Sequence, residues 1–141
     1  MSDEFVDSNI HVYSRDCHAG VKREIALSLV ERLWATSLGG TSIQVLCEFY
    51  NVTTRKIASP LSTDDALKVV NNLSRWRTHE PNAANVASAI RRANRLKISF
   101  WDAMIIESAV ALGCAILWSE DLQHGAVYDR VKVLNPFAKK G

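Results

Sequence analysis

Four acidic residues, Asp7, Glu48, Asp102 and Asp121, hold positions from which carboxylates can converge. Asp7 closes a strand-like segment from Glu4 to Asp7, and Glu48 is a lone acid among the apolar residues of IleGlnValLeuCysGluPheTyrAsnVal. Asp102 falls in the first turn of a helix, and Asp121 follows the apolar run from Cys114 to Trp118. Carboxylates gathered in one crevice repel each other by about 4 kcal/mol per close pair at an effective dielectric of about 20. Such a gathering therefore makes sense chiefly as a cation site. Oxygen-only ligands select Mg²⁺ or Mn²⁺ over zinc. A cation held this way activates a water and stabilises the charge that builds up during phosphodiester hydrolysis.

Each acid also has a structural alternative. Ser99 to Asp102 has the spacing of a capping box, and Asp121 and Asp7 with Asn9 suit turns. Glu48 can face solvent beside Arg55 or Lys56, although seven or eight positions on a helix bring them together only imperfectly. No single acid decides the matter; their arrival at one edge of a sheet would.

The elements that must deliver them can be read in order. Ser8 is an N-cap candidate for a short helix through Tyr13. A helix from Gly20 to Trp34 places Val21, Ile25, Leu29 and Leu33 on a buried stripe. Gly39 to Ile43 reads as a turn and very short strand, with Ser42 capping the helix that carries Glu48; Leu46, Phe49 and Tyr50 form that helix's core face. Ser62 to Asp65 caps a helix from Ala66 to Trp76, with both acids assigned to the cap. Arg77 to Glu80 is a minor strand, and Pro81 starts a helix to Leu96. Phe100, Met104, Ile105, Ala109 and Leu112 recur at helical spacing and imply an amphipathic helix packed by one face, ended by Gly113. Cys114 to Trp118 is an interior strand, and Arg130 to Leu134 is a last strand by alternation. This order indicates an α/β fold, a three-layer α/β/α sandwich with a mostly parallel central sheet. In such a sheet Asp102 and Asp121 can face one crevice at the carboxyl edge.

The chain has 141 residues, of which 48% are hydrophobic, which suits a single domain over 1–141. A net charge of +2 is too mild to announce nucleic-acid binding by itself, so any RNA site must be local. Arg91, Arg92 and Arg95 fall on neighbouring turns, with Lys97 beyond; this is the best phosphate-binding candidate, against the alternative of a solvated helix face near a C-terminus. Arg55 and Lys56 offer a second approach. Three scattered cysteines, Cys17, Cys47 and Cys114, read as reduced core thiols in a cytoplasmic protein. No secretory signal or membrane span is evident in the sequence, and there is no zinc pattern.

Taken together, FVDSNIHVYS, SIQVLCEFYNVTTRKI, ISFWDAMIIESA, LWSEDLQHG and the closing NPF resemble the PIN-domain ribonucleases, most closely the VapC-like toxins of VapBC-type toxin-antitoxin pairs. The resemblance runs from Phe5 to Phe137, and the motifs are specific as an ordered set. It implies a PIN-like fold and a Mg²⁺- or Mn²⁺-dependent endoribonuclease whose catalytic and metal-binding quartet falls on Asp7, Glu48, Asp102 and Asp121. It also implies that Ser119 supports the water or metal network and that Asn9 shapes the turn carrying Asp7, while Glu120 falls beside the motif position. A homodimer and a cognate antitoxin protein are the partners it implies, with RNA as substrate.

Other classes fit less well. A haloacid-dehalogenase-like phosphatase needs its general acid two residues after the first aspartate, where Asn9 stands. A PIN-like RNA-binding or RNA-processing module without a toxin role is the remaining alternative, since an intact quartet shows capacity and not turnover. GxxxxGK[ST], GxGxxG and GxSxG are all absent. The four histidines are scattered; His124, near Asp121, suits a structural or substrate-edge role.

Overall fold

The structure is a computed structural model and describes residues 2–139. In chain order the elements are β1 (Glu4–Val6), α1 (Ser8–Arg15), α2 (Val21–Thr36), β2 (Gly39–Ser42), α3 (Ile43–Arg55), α4 (Thr63–Leu73), β3 (Arg77–His79), α5 (Ala83–Leu96), α6 (Phe100–Ala111), β4 (Ile116–Trp118), β5 (Val127–Tyr128) and β6 (Val131–Leu134). The sheet order is β3-β2-β1-β4-β6-β5. All pairs are parallel except β5 with β6. Chain order runs outward from β1 in one direction through β2 and β3 and in the other through β4 and β6. The reversal lies between β1 and β4, and in open α/β sheets that is where a crevice opens at the carboxyl ends.

Alternation along β1 divides the interior into two layers. Phe5 belongs to a core with Val45, Ile105, Ile106 and Leu117, whereas Val6 belongs to one with Ile10, Leu29, Leu33, Leu46 and Trp76. Gly39 is required by the second packing: a Cβ there would lie 2.5 Å from the Trp76 ring. Gly113, at φ 69°, lets the chain leave α6.

Several expectations are corrected. The buried stripe of α2 is Ala26, Leu29, Val30 and Leu33, while Val21 and Ile25 are exposed. A strict fourfold spacing drifts around a 3.6-residue helix, so its two ends cannot share one contact. Helix α6 is not amphipathic: every residue from Ala103 to Ala109 is buried, because the sheet and α5 cover it from different sides. Tyr50 is exposed, and only Cys114 of the three cysteines is buried. Burial pushes the Cys114 thiol up to about 12. Helices α4 and α5 begin at Thr63 and Ala83, the latter behind a reciprocal Asn82–Asn85 capping box. Strand β5 has no sequence signal; it pairs with β6 through a two-residue turn in which Asp129 and Arg130 both have positive φ. Among the described residues no helix is long and apolar enough to cross a membrane.

Candidate active site

Asp7 is where β1 becomes α1. It, and not Ser8, is the N-cap: its Oδ1 accepts from Ser8 N at 2.7 Å. Its Oδ2 accepts from Ser119 Oγ at 2.9 Å, so a residue following β4 is tied to one following β1 across the sheet's reversal point. Ser119 is fully buried, and its Oγ also accepts from Asp121 N at 3.2 Å. One hydroxyl thus fixes the deepest acid and the backbone of the acid at the rim. Asn9 Nδ2 donates to Asp121 Oδ2 at 3.2 Å, while Asn9 Oδ1 is buried without a hydrogen-bond partner.

Glu48 comes from α3, which Ser42 caps by accepting from Val45 N at 3.3 Å. It is half-buried, and its partner is not Arg55 or Lys56 but Gln44, one helical turn earlier, whose Nε2 donates to Oε1 at 3.1 Å. The same Nε2 reaches Trp101 O at 3.2 Å, joining α3 to the start of α6. Gln44 went unnoticed in the sequence, although its i,i+4 relation to Glu48 is a usable signal. Asp102 is half-buried in the first turn of α6. Its backbone N donates to Ser99 Oγ at 3.0 Å, but among the described hydrogen bonds its carboxylate does not return to Ser99. The capping box is therefore half made, and the carboxylate is left for the crevice.

The electrostatics show that the four acids share a neighbourhood. Burial pushes the Asp7 carboxyl up to about 7, against the hydrogen bonds from Ser119 and Ser8, and the charges of Asp121 and Glu48 push in the same direction as burial. Glu48 is raised first by desolvation, with Asp102 and Asp121 adding repulsion against the hydrogen bonds from Gln44 and Ser8. Asp121 is raised by desolvation, then by Asp102 and Glu120. No Lys or Arg forms an ion pair with any of the four among the described residues. Glu120 faces elsewhere, accepting from Tyr13 Oη at 2.6 Å and pairing with Lys22.

As they stand, no three His, Cys, Asp or Glu side chains among the described residues are grouped tightly enough to enclose a cation. The crevice is open, and its acids would have to draw inward. The donor set nevertheless fits a hard divalent ion: it is all oxygen, it holds a buried aspartate with no cationic partner, and an orphaned amide oxygen, Asn9 Oδ1, lies beside it.

The basic group divides. Arg91, Arg95 and Lys97 are exposed, but Arg92 is buried, donating to Glu107 Oε1 from Nε at 2.9 Å and to Asp129 Oδ2 from an NH₂ group at 2.6 Å. Arg92 is thereby removed from the surface, because helical spacing places it about 100° around the axis from Arg91.

A PIN domain family model matches residues 5–130, and the chain belongs to that family. Its members are ribonucleases, hydrolases that generally depend on a divalent metal, and ribonuclease is the enzyme class of this chain. The fold is similar to that in the crystal structure of Mycobacterium tuberculosis VapC20, a sarcin-ricin loop cleaving toxin. That match has 21% identity and a TM-score of 0.66 and covers 84% of this chain and 90% of that one. No curated protein matches the sequence.

Proposed function

We propose that this chain is the toxin component of a toxin-antitoxin pair, a single PIN domain over 1–141 that cuts RNA internally with Mg²⁺ or Mn²⁺ held by Asp7, Glu48, Asp102 and Asp121. The observation that carries the assignment is the uncompensated acidity of the crevice. Three of the four carboxyls are raised, with the charge of at least one other member of the quartet adding to desolvation in each case, and none has a basic partner among the described residues. A site built for fold stability would have neutralised them.

When bound, the metal supplies a water of lowered pKa and Lewis-acid stabilisation of charge on the scissile phosphate. The protein's share is positioning. Ser119 orients Asp7 and steadies Asp121 through its backbone N–H; Asn9 orients the Asp121 carboxylate; Gln44 holds Glu48. Attachment of Asp7 to the end of β1 and of Asp102 to the first turn of α6, with Asp121 held by Ser119 three residues past β4, spares the entropy of ordering them on free loops.

Because VapC20 cleaves the sarcin-ricin loop, RNA of that loop is a reasonable first substrate to try beside unstructured RNA. A second copy of the chain and an antitoxin complete the proposal. An acidic cavity is a ready receptor for an inserted arginine or lysine, which would exclude the metal. The setting proposed for this activity is the cytoplasm. The test is cleavage of single-stranded and sarcin-ricin loop RNA with millimolar Mg²⁺ or Mn²⁺. Loss of cleavage with excess EDTA and recovery on metal addition is expected; cleavage that persists in EDTA would overturn the metal assignment.

A further inference from the structure

Beside the acidic crevice lies a cleft of about 630 Å³ between α3 and the start of α6, lined by Ile43, Gln44, Cys47, Glu48, Trp101 and Met104 among others. This volume falls in the range of clefts that hold small-molecule ligands. Glu48 belongs both to this cleft and to the acidic quartet, and Trp101 adjoins Asp102 in the chain, so the cleft borders the quartet at two of its members. Trp101 immediately precedes Asp102 and is 62% exposed, an unusual state for so large an apolar side chain next to a site. Its ring is braced edge-on by Phe100, with centroids 5.0 Å apart, and its backbone carbonyl is held by Gln44.

The charge of the cleft narrows its occupant. Its one ionisable acid is Glu48, and no Lys or Arg lines it, so a phosphate is repelled. The walls are otherwise an aromatic face, aliphatic side chains and neutral amides. They suit a planar, uncharged, polarisable ring. We infer that Trp101 is a stacking platform for an unpaired nucleobase of the RNA, next to the phosphate presented to the quartet. Unstacked bases of loops and single strands are recognised on aromatic side chains in this way, and a duplex, whose bases are already stacked, cannot supply one without opening. The site would therefore favour single-stranded or looped RNA, and Trp101 would act on substrate binding rather than on the metal. This inference rests on the ribonuclease reading.

The experiment uses RNA carrying 2-aminopurine at successive positions around the cleaved bond. Binding is read by quenching in the metal-free Asp7→Asn protein, and cleavage is read separately with Mn²⁺ in a protein whose quartet is intact. Quenching at one position is expected, lost in Trp101→Ala and kept in Trp101→Phe. In cleavage, Trp101→Ala should lose roughly 10-fold or more in kcat/KM, mostly through KM, with Trp101→Phe restoring most of it. The concentration of Mn²⁺ at half-maximal activity should not move. Cleavage that proceeds while Trp101→Ala matches the parent in quenching and KM would overturn the platform and leave the nuclease reading intact. Quenching that depends on Trp101 without any cleavage would do the reverse. If Trp101→Ala instead changes the oligomeric state on gel filtration and leaves quenching unaltered, the cleft faces a second copy of the chain and the inference fails.

Discussion

Helix α6 carries two acids in opposite circumstances. Glu107, in its middle, is buried and accepts from Ser88 Oγ at 2.8 Å and from Arg92 Nε at 2.9 Å, and Arg92 goes on to Asp129 at the β5–β6 turn. Asp102, five residues earlier, has no cationic partner among the described residues and shares its crevice with three more acids. Burying an ion pair is tolerable when the geometry satisfies both members; burying acids together is not, unless a cation arrives from outside. A carboxylate on one helix thus serves cohesion at one place and leaves an unmet charge at the other. What separates them is whether the chain itself provides the counter-charge.

The largest expected effects come from breaking this contrast. Asp7→Asn and Asp102→Asn should each reduce RNA cleavage to background while the melting temperature stays level or rises, since each removes repulsion from the crevice. A variant that keeps full activity would return its residue to a capping role. Glu107→Ala should do the opposite, leaving Arg92 buried with only an exposed partner and costing roughly 3–5 kcal/mol. Denaturant unfolding checks this, and the double change Arg92→Met with Glu107→Leu should recover most of the loss. Asp129→Asn, which tolerates the positive φ of that turn, should cost less than ~1 kcal/mol, because the carboxylate it replaces is 61% exposed.

The legibility of the two places differs for a physical reason. All four acids of the crevice stand at element starts or ends, or alone on an apolar helix face, and those are positions that local pattern reveals. The parallel sheet could be read in part for the same reason, from the apolar residues of β1, β4 and β6 separated by helical periodicity, whereas β2 is GlyGlyThrSer and β3 ArgThrHis. Arg92, Glu107 and Asp129 are joined only by tertiary packing; Arg92 and Glu107 are fifteen residues apart and lie on different helices. Helical spacing sets Arg92 apart from Arg91, on the side of buried Ala89, but nothing local says which acids it meets there. The exposure of Val21 and Ile25 and the burial of α6 on all sides also depend on which elements happen to cover them. Strand β5 is two residues long and exists through its turn.

A smaller effect concerns protons. Asp7, with its carboxyl pushed up from 3.8 to about 7, retains a proton in the folded state that the unfolded chain gives up. That contribution to stability is complete below about pH 4 and is lost as pH rises through 7. His11, one turn along α1, is buried and driven by desolvation from 6.5 down to about 3. Its contribution runs the other way, present above about pH 6.5 and lost as pH falls. In metal-free protein the two oppose each other between about pH 4 and 6.5, so Asp7→Asn should lose melting temperature on acidification more steeply than its parent. Mg²⁺ competes with the proton on Asp7, so its thermal shift should be larger at about pH 8 than at about pH 5.5, reaching about 2.7 kcal/mol at a hundred times the dissociation constant. Equal shifts at both pH values would separate Asp7 from the metal.

The smallest effect tests how RNA reaches the unmet charge. Arg91, Arg95 and Lys97 are exposed, and Lys97 caps α5 two residues before Ser99 opens the helix of Asp102, which makes this basic surface the first approach to test. Reversing these three to Glu, with Arg92 left in place because its ion pair holds the fold, should weaken RNA binding without moving the Mg²⁺ thermal shift. Each phosphate neutralised on a single strand contributes about 0.7 to the slope of log affinity against log salt, so the slope should flatten by up to about 2. A melting temperature unchanged from the parent shows that the buried Arg92–Glu107 pair survived the change. If affinity and slope are both unaltered, those side chains only solvate the end of α5, and the phosphates run instead over Arg55 and Lys56, both exposed at the end of the helix that carries Glu48.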